Sequence, residues 1–171
     1  MKRRIEAAAA VLAGVIALGC EQPQPSAPTL TGPLFAAATT QDITATVNLA
    51  ITVPGTLRVM GGIAHIRDQT QSGPVSGDLT GTATVMGRSD VAVATMDGTA
   101  SGKFTITVTA PAVGTFEGRF AGTFTGGVFS GHTVGQGTGA FAGQILRGTI
   151  SQTAPNRSYT LTGTILNPGG N

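Results

Sequence analysis

From position 43 to 53 apolar and polar residues alternate, with Ala50 the one apolar residue on the polar face. Ile43, Ala45, Val47, Leu49, Ile51 and Val53 share one face, and Thr44, Thr46, Asn48 and Thr52 share the other. A period of two marks a strand with one face buried. Pro54-Gly55 signals a turn, after which Leu57 and Val59 resume the alternation. Gly61-Gly62 falls where the apolar phase shifts, which predicts a bulge. A third strand is predicted over 75–85, where Val75, Leu79, Ala83 and Val85 share a face with Gly77 and Gly81. A fourth covers 91–96, and a fifth carries Phe104, Ile106 and Val108 up to Pro111. The sixth sets Phe116, Phe120 and Phe124 on one face, spaced by Gly118 and Gly122, with Glu117, Arg119 and Thr123 opposite. Strands over 128–138, 145–153 and 159–166 complete the pattern.

About eight or nine short strands without a helical period predict an all-β protein. Large residues alternating with glycine on one face suit a tightly curved sheet, and a sheet of this many strands tends to close and so lose its edges. The expected architecture is therefore a single small antiparallel β-barrel of about eight strands over residues 41–167, with a β-sandwich as the alternative. Composition agrees. Among 171 residues there are 26 Gly and 27 Thr, and only 11% are charged, which excludes a coiled coil; glycine without a triplet period excludes collagen.

The N-terminus has another character. A cationic start (Lys2, Arg3, Arg4), an apolar run from Ala7 to Leu18 and small residues at its end make a secretory signal over residues 1–19. The run is short for a membrane span. The chain's single cysteine, Cys20, follows it directly. Ala17-Leu18-Gly19-Cys20 resembles a bacterial lipobox, which implies lipidation of Cys20 and a membrane-anchored lipoprotein; Glu21, in a double-membrane bacterium, implies sorting to the outer membrane. Pro23, Pro25, Pro28 and Pro33 give residues 20–40 the character of an extended tether.

Charge changes the picture once the leader is set aside. The net +2 of the whole chain resides in the leader, because from residue 20 onward seven Arg and Lys face seven Asp and Glu. A neutral chain has no basic field for gathering phosphates, which disfavours nucleic acid. One Tyr and no Trp argue against a membrane-spanning barrel, whose interfaces carry aromatic girdles.

The residues that could carry chemistry are few. His65 and His132 lie far apart in sequence and Cys20 belongs to the anchor, so no metal site is expected. His65 with Arg67, and Glu117 with Arg119, share strand faces and read as solvated outer charge. No nucleophile elbow or phosphate loop is present: Gly135 to Gly139 lack the Lys-Ser/Thr that a phosphate loop requires. The sequence implies no catalytic residue and no cofactor.

The run Gly135-Gln136-Gly137-Thr138-Gly139-Ala140-Phe141-Ala142-Gly143, with Arg147-Gly148-Thr149 and Tyr159-Thr160-Leu161-Thr162-Gly163-Thr164, resembles the allene oxide cyclase and dirigent group. That resemblance covers residues 131–167. It implies an eight-stranded antiparallel barrel and carries no catalytic residue over to this chain. Physically, the glycines of the run permit bulges and close strand approach, which makes Phe141 the expected core plug. The expected function is a lipid-anchored envelope protein whose barrel binds an apolar or amphipathic small molecule, with Phe116, Phe120 and Phe124 as lining candidates. A structural or protein-interaction module at the cell surface is the alternative. An isomerase or cyclase, by family analogy alone, comes third.

Overall fold

The computed structural model describes residues 37–154 and 157–169. Among the described residues there are ten strands and no helix. In chain order they are β1 (Thr39–Asn48), β2 (Ala50–Val53), β3 (Thr56–Met60), β4 (Ile63–Gly77), β5 (Thr80–Ala92), β6 (Gly98–Ala110), β7 (Gly114–Thr125), β8 (Val128–Gly139), β9 (Ile145–Ala154) and β10 (Ser158–Asn167). Eight of them close into an antiparallel barrel in the order β1-β10-β9-β8-β7-β6-β5-β4, and β4 returns to β1 through Val75–Gly77 against Ala45–Val47. The architecture is thus the barrel and not the sandwich. The leader, Cys20 and most of the tether lie outside the described residues.

Closure requires stagger. Following paired residues round the ring from Thr46, through Thr160, Ser151, Ser130, Thr123, Thr99 and Asp90, leads to His65 on β4. The direct pairing places Thr46 opposite Ser76, eleven positions further along β4. The N-terminal half of β4 therefore rises beyond one end of the ring. There it pairs with β2 and β3, which continue the line of β1, and the three form a projecting lip.

The structure revises the predicted strands at four places. The alternating run 43–53 is two strands, β1 and β2, interrupted at Leu49. Gly61-Gly62 is the turn of the β3–β4 hairpin, with φ of 58° and 78°, and not a bulge within one strand. Two consecutive positive φ angles match the right-handed twist of the flanking strands, and glycine adopts them without steric cost. The segment 75–85 is two strands joined at Asp78-Leu79. Leu79 keeps the apolar phase through the turn because it is buried at the barrel end, while Asp78 is stapled to β1: its N–H donates to Thr44 O at 3.0 Å and its Oδ2 accepts from Thr44 N at 2.7 Å. The apolar run 91–96 straddles the end of β5 and a turn, where Met96 has φ 61° and Val93 is exposed.

Phenylalanine and glycine explain each other on the inner wall. Cross-strand pairs of glycine form shallow seats, and a ring lies over each. Phe104 covers Gly118 and Gly135, where an added Cβ would stand 2.7 and 2.8 Å from its ring. Phe129 covers Gly122 and Gly131 in the same way, and Phe120 covers Gly87 and Gly102. The narrow barrel has room for these rings only where the adjoining positions of the same wall carry no side chain.

The two ends of the interior differ. At the end holding the β4–β5, β6–β7 and β8–β9 turns, Ile43, Val75, Leu79, Val108, Phe116, Leu146 and Ile165 are fully or almost fully buried. Phe141, from the β8–β9 turn, folds inward over them with its ring 4.8 Å from that of Phe116. This end is closed, with Phe141 as its plug. The outer wall is largely threonine, with Lys103, Arg119 and Arg147 at mid-height, where a membrane-spanning barrel would carry an apolar band.

Candidate functional site: a cavity at the open end

At the opposite end the interior is not filled. A cavity of about 120 Å³ opens beneath the lip. Its floor is Ala83, Ile106 and Leu161, where the packed half begins. Its walls are Val47 of β1, Leu49 between β1 and β2, Val85 and Ala100 of β5 and β6, and Ile150 of β9. An aromatic group closes one side. Phe129 is its centre, with Phe120 at 6.1 Å and Tyr159 at 6.4 Å both edge-on to it, and Phe124 tilted at 5.3 Å. Aromatic pairs favour such edge-on and tilted contacts, which fix the rings without filling the space between them.

Polar groups enter the lining at a few points: Gln69 and Gln71 of β4, Arg88 and Ser89 of β5, Thr133 and Tyr159. The glutamines face inward because of a bulge. Asp68, with φ 55°, is the extra residue where the β4–β5 register shifts between Ile66 and Gln69. Above it Ile66 lines the cavity; below it the phase is reset so that Gln69 and Gln71 do. They form a relay in which Gln69 Nε2 donates to Pro54 O at 3.4 Å and Gln71 Nε2 donates to Gln69 Oε1 at 2.7 Å. The relay ends at Gln71 Oε1, which is buried without a hydrogen-bond partner. Thr133 Oγ1 donates to Arg119 O at 3.4 Å. Burial raises the Tyr159 phenol above its ordinary value, opposed by the nearby Arg157 charge, so the hydroxyl stays protonated at neutral pH. The lining contains no Asp, Glu or His.

The lip extends this apolar surface outward. Leu57 pairs with Ile66 and Val59 with Ala64, so both share the sheet face that lines the cavity, and both are exposed. The other face of the lip is polar. Asp90 Oδ1 joins His65 Nδ1 at 2.6 Å and Arg67 at 2.7 Å, and Arg67 also donates to the carbonyls of Ile66 and Ser89. The bond to Arg67, then that to His65, holds the Asp90 carboxyl below its ordinary value. His65 and Arg67, with Thr56, Arg58 and Met60, line a shallow outer groove. No group of three or more His, Cys, Asp or Glu suited to a metal occurs among the described residues.

The structure separates the three phenylalanines of the predicted lining. Phe120 and Phe124 line the cavity. Phe116 does not; it is completely buried at the closed end against Phe141. All three share the inner face of β7, but that strand runs the length of the barrel, so its first phenylalanine falls in the packed half. Cys20 lies outside the described residues. Sequence reasoning missed Phe129, Tyr159 and the two glutamines. Phe129 was legible as an apolar residue two positions from Gly131, but Gln69 and Gln71 gave no signal, because polar residues on an inner face run against the expected alternation.

No protein-family model matches the chain, and no curated protein matches it. The site therefore stands on its own geometry as the open half of a closed eight-stranded antiparallel barrel.

Proposed function

We propose that this chain is a lipid-anchored envelope protein whose barrel binds an apolar or amphipathic small molecule. The observation that carries the reading is the half-filled interior. One end is packed and plugged, while the other keeps about 120 Å³ open among aliphatic and aromatic side chains. Ligand sites are concave and mostly apolar, with a few fixed polar groups, and this lining has that composition. The exposed Leu57 and Val59 on the lip give the remainder of a longer molecule an apolar surface on which to lie. The anchor is supported by the signal-like start and by Cys20 at its end; the barrel chemistry does not depend on it.

Native mass spectrometry of the full chain, extracted gently from its own membranes, tests both parts. The expected subunit begins at an acylated Cys20 and carries an additional mass that is released on denaturation. A subunit without acyl chains removes the anchor, and a barrel that is empty and also binds no hydrophobic dye removes the ligand. The exposed apolar side chains near the mouth, Leu57 and Val59 on the lip and Val93 and Met96 in the β5–β6 turn, favour a second reading, a surface module that engages another protein. Crosslinking in intact cells separates the two, since a single dominant partner belongs to the module and not to a ligand carrier.

A further inference from the structure

We infer that the molecule held in the cavity carries a hydroxyl or N–H group that donates a hydrogen bond to Gln71 Oε1. The inference rests on the reading of the cavity as a ligand site. Buried polar atoms are almost always hydrogen-bonded, and an acceptor left alone in an apolar cavity is costly to keep. Among the buried side-chain nitrogens and oxygens of the described residues, Gln71 Oε1 alone has no partner. It belongs to a residue of the cavity lining.

The relay fixes which end of the amide is left over. Pro54 offers a backbone carbonyl, which only accepts, so Gln69 must present Nε2 to it. That turns Gln69 Oε1 toward Gln71, which must in turn present Nε2. Flipping either amide sets two acceptors against each other. The side chain is thus held with its oxygen as the free end, and the complement it lacks is a donor. An apolar ligand without a donor would cover the oxygen and leave it unsatisfied. One with a hydroxyl satisfies it, and rejection of the first type is how a single buried acceptor confers selectivity.

Phenol and toluene are a suitable pair of probes, because they match in shape and differ by hydroxyl against methyl. An enclosed apolar cavity of ~150 Å³ accepts benzene, so a single six-membered ring is the right scale. Calorimetric titration of the full chain and of Gln71→Leu with each compound cancels their different hydration. The preference for phenol over toluene should be about tenfold greater in the native chain than in the variant. In the native chain alone, the Gln71 side-chain carbonyl carbon resonance should shift with phenol and stay in place with toluene, which gives a readout even if the variant does not fold. If both compounds bind and neither the preference nor the resonance distinguishes them, the donor requirement is wrong while the cavity reading stands. If neither binds, both are wrong.

Discussion

Ala100 faces the cavity from β6, opposite Ser89 on β5 and Gly122 on β7, so the wall around it is built of small residues. Replacing it by leucine adds three carbons to an apolar space. At ~0.8 kcal/mol per buried methylene the ceiling is about 2.4 kcal/mol. An independent bound comes from the void itself: about 120 Å³ at ~24 cal/mol per Å³ corresponds to about 3 kcal/mol of packing forgone. The position lies toward the mouth and the leucine loses rotamer freedom, so the expected net gain is about 1 kcal/mol. In a domain of this size that raises Tm by about 4 °C. The same leucine should abolish binding of any ligand that occupies the cavity. Urea and thermal denaturation measure the first effect, and titration with phenol or a hydrophobic dye measures the second. Gain of stability with loss of binding is the trade expected where a site is kept open for function. A loss of more than about 1 kcal/mol would show that the wall is already close-packed and that no usable space exists.

Other consequences can be checked separately. Phe141→Ala unplugs the closed end and should cost about 3–5 kcal/mol in urea unfolding; a cost below about 1 kcal/mol would mean that the ring is not part of the core. Gly118→Ala places a methyl 2.7 Å from Phe104 Cε1 and against the Val134 carbonyl. It should destabilise by about 2 kcal/mol or more, against the usual benefit of replacing glycine, and a neutral result would refute the seat. Tyr159 is the chain's one tyrosine, so near-ultraviolet titration reads it alone; its midpoint should lie above 10.0. Because its folded value is raised, its contribution to stability is complete below the unfolded value and is lost as pH rises through the folded one, and a midpoint at or below 10.0 contradicts its burial. For Asp90 the sign is opposite. Its folded value is depressed, so its contribution is present above the unfolded carboxylate value and fades as pH falls through the folded one. Native chain and Asp90→Asn should therefore converge in stability in acid, and divergence there would argue against the pairing.

Where one strand face is wholly apolar, the fold was legible. Ile43, Ala45 and Val47, then Phe104, Ile106 and Val108, lie inside as their period of two requires. Legibility failed where the inner face changes character. The bulge at Asp68 and the inward Gln69 and Gln71 hide a 15-residue strand, the longest in the barrel, behind a polar stretch. Leu79 and Val93 misled in the other direction, since apolar turn residues prolong an alternation whose backbone has already reversed. The site was half legible for a related reason. Period shows which way Phe116, Phe120 and Phe124 point, but depth along the barrel axis follows from the stagger of eight strands, which no local pattern encodes.

The first and last strands of the barrel are paired neighbours. Thr39 stands opposite Asn167, and both lie at the closed end, away from the mouth. A partner fused directly before Thr39 or after Asn167 therefore starts from the side opposite the cavity. A chip surface, a fluorescent protein or a display scaffold fused there presents the open end to solution without crossing it. The same adjacency lets a short linker join residues 167 and 39 directly. The chain could then be reopened at the Gly126-Gly127 turn, and a circularly permuted barrel would carry its new ends on the rim of the cavity, where they would report its occupancy.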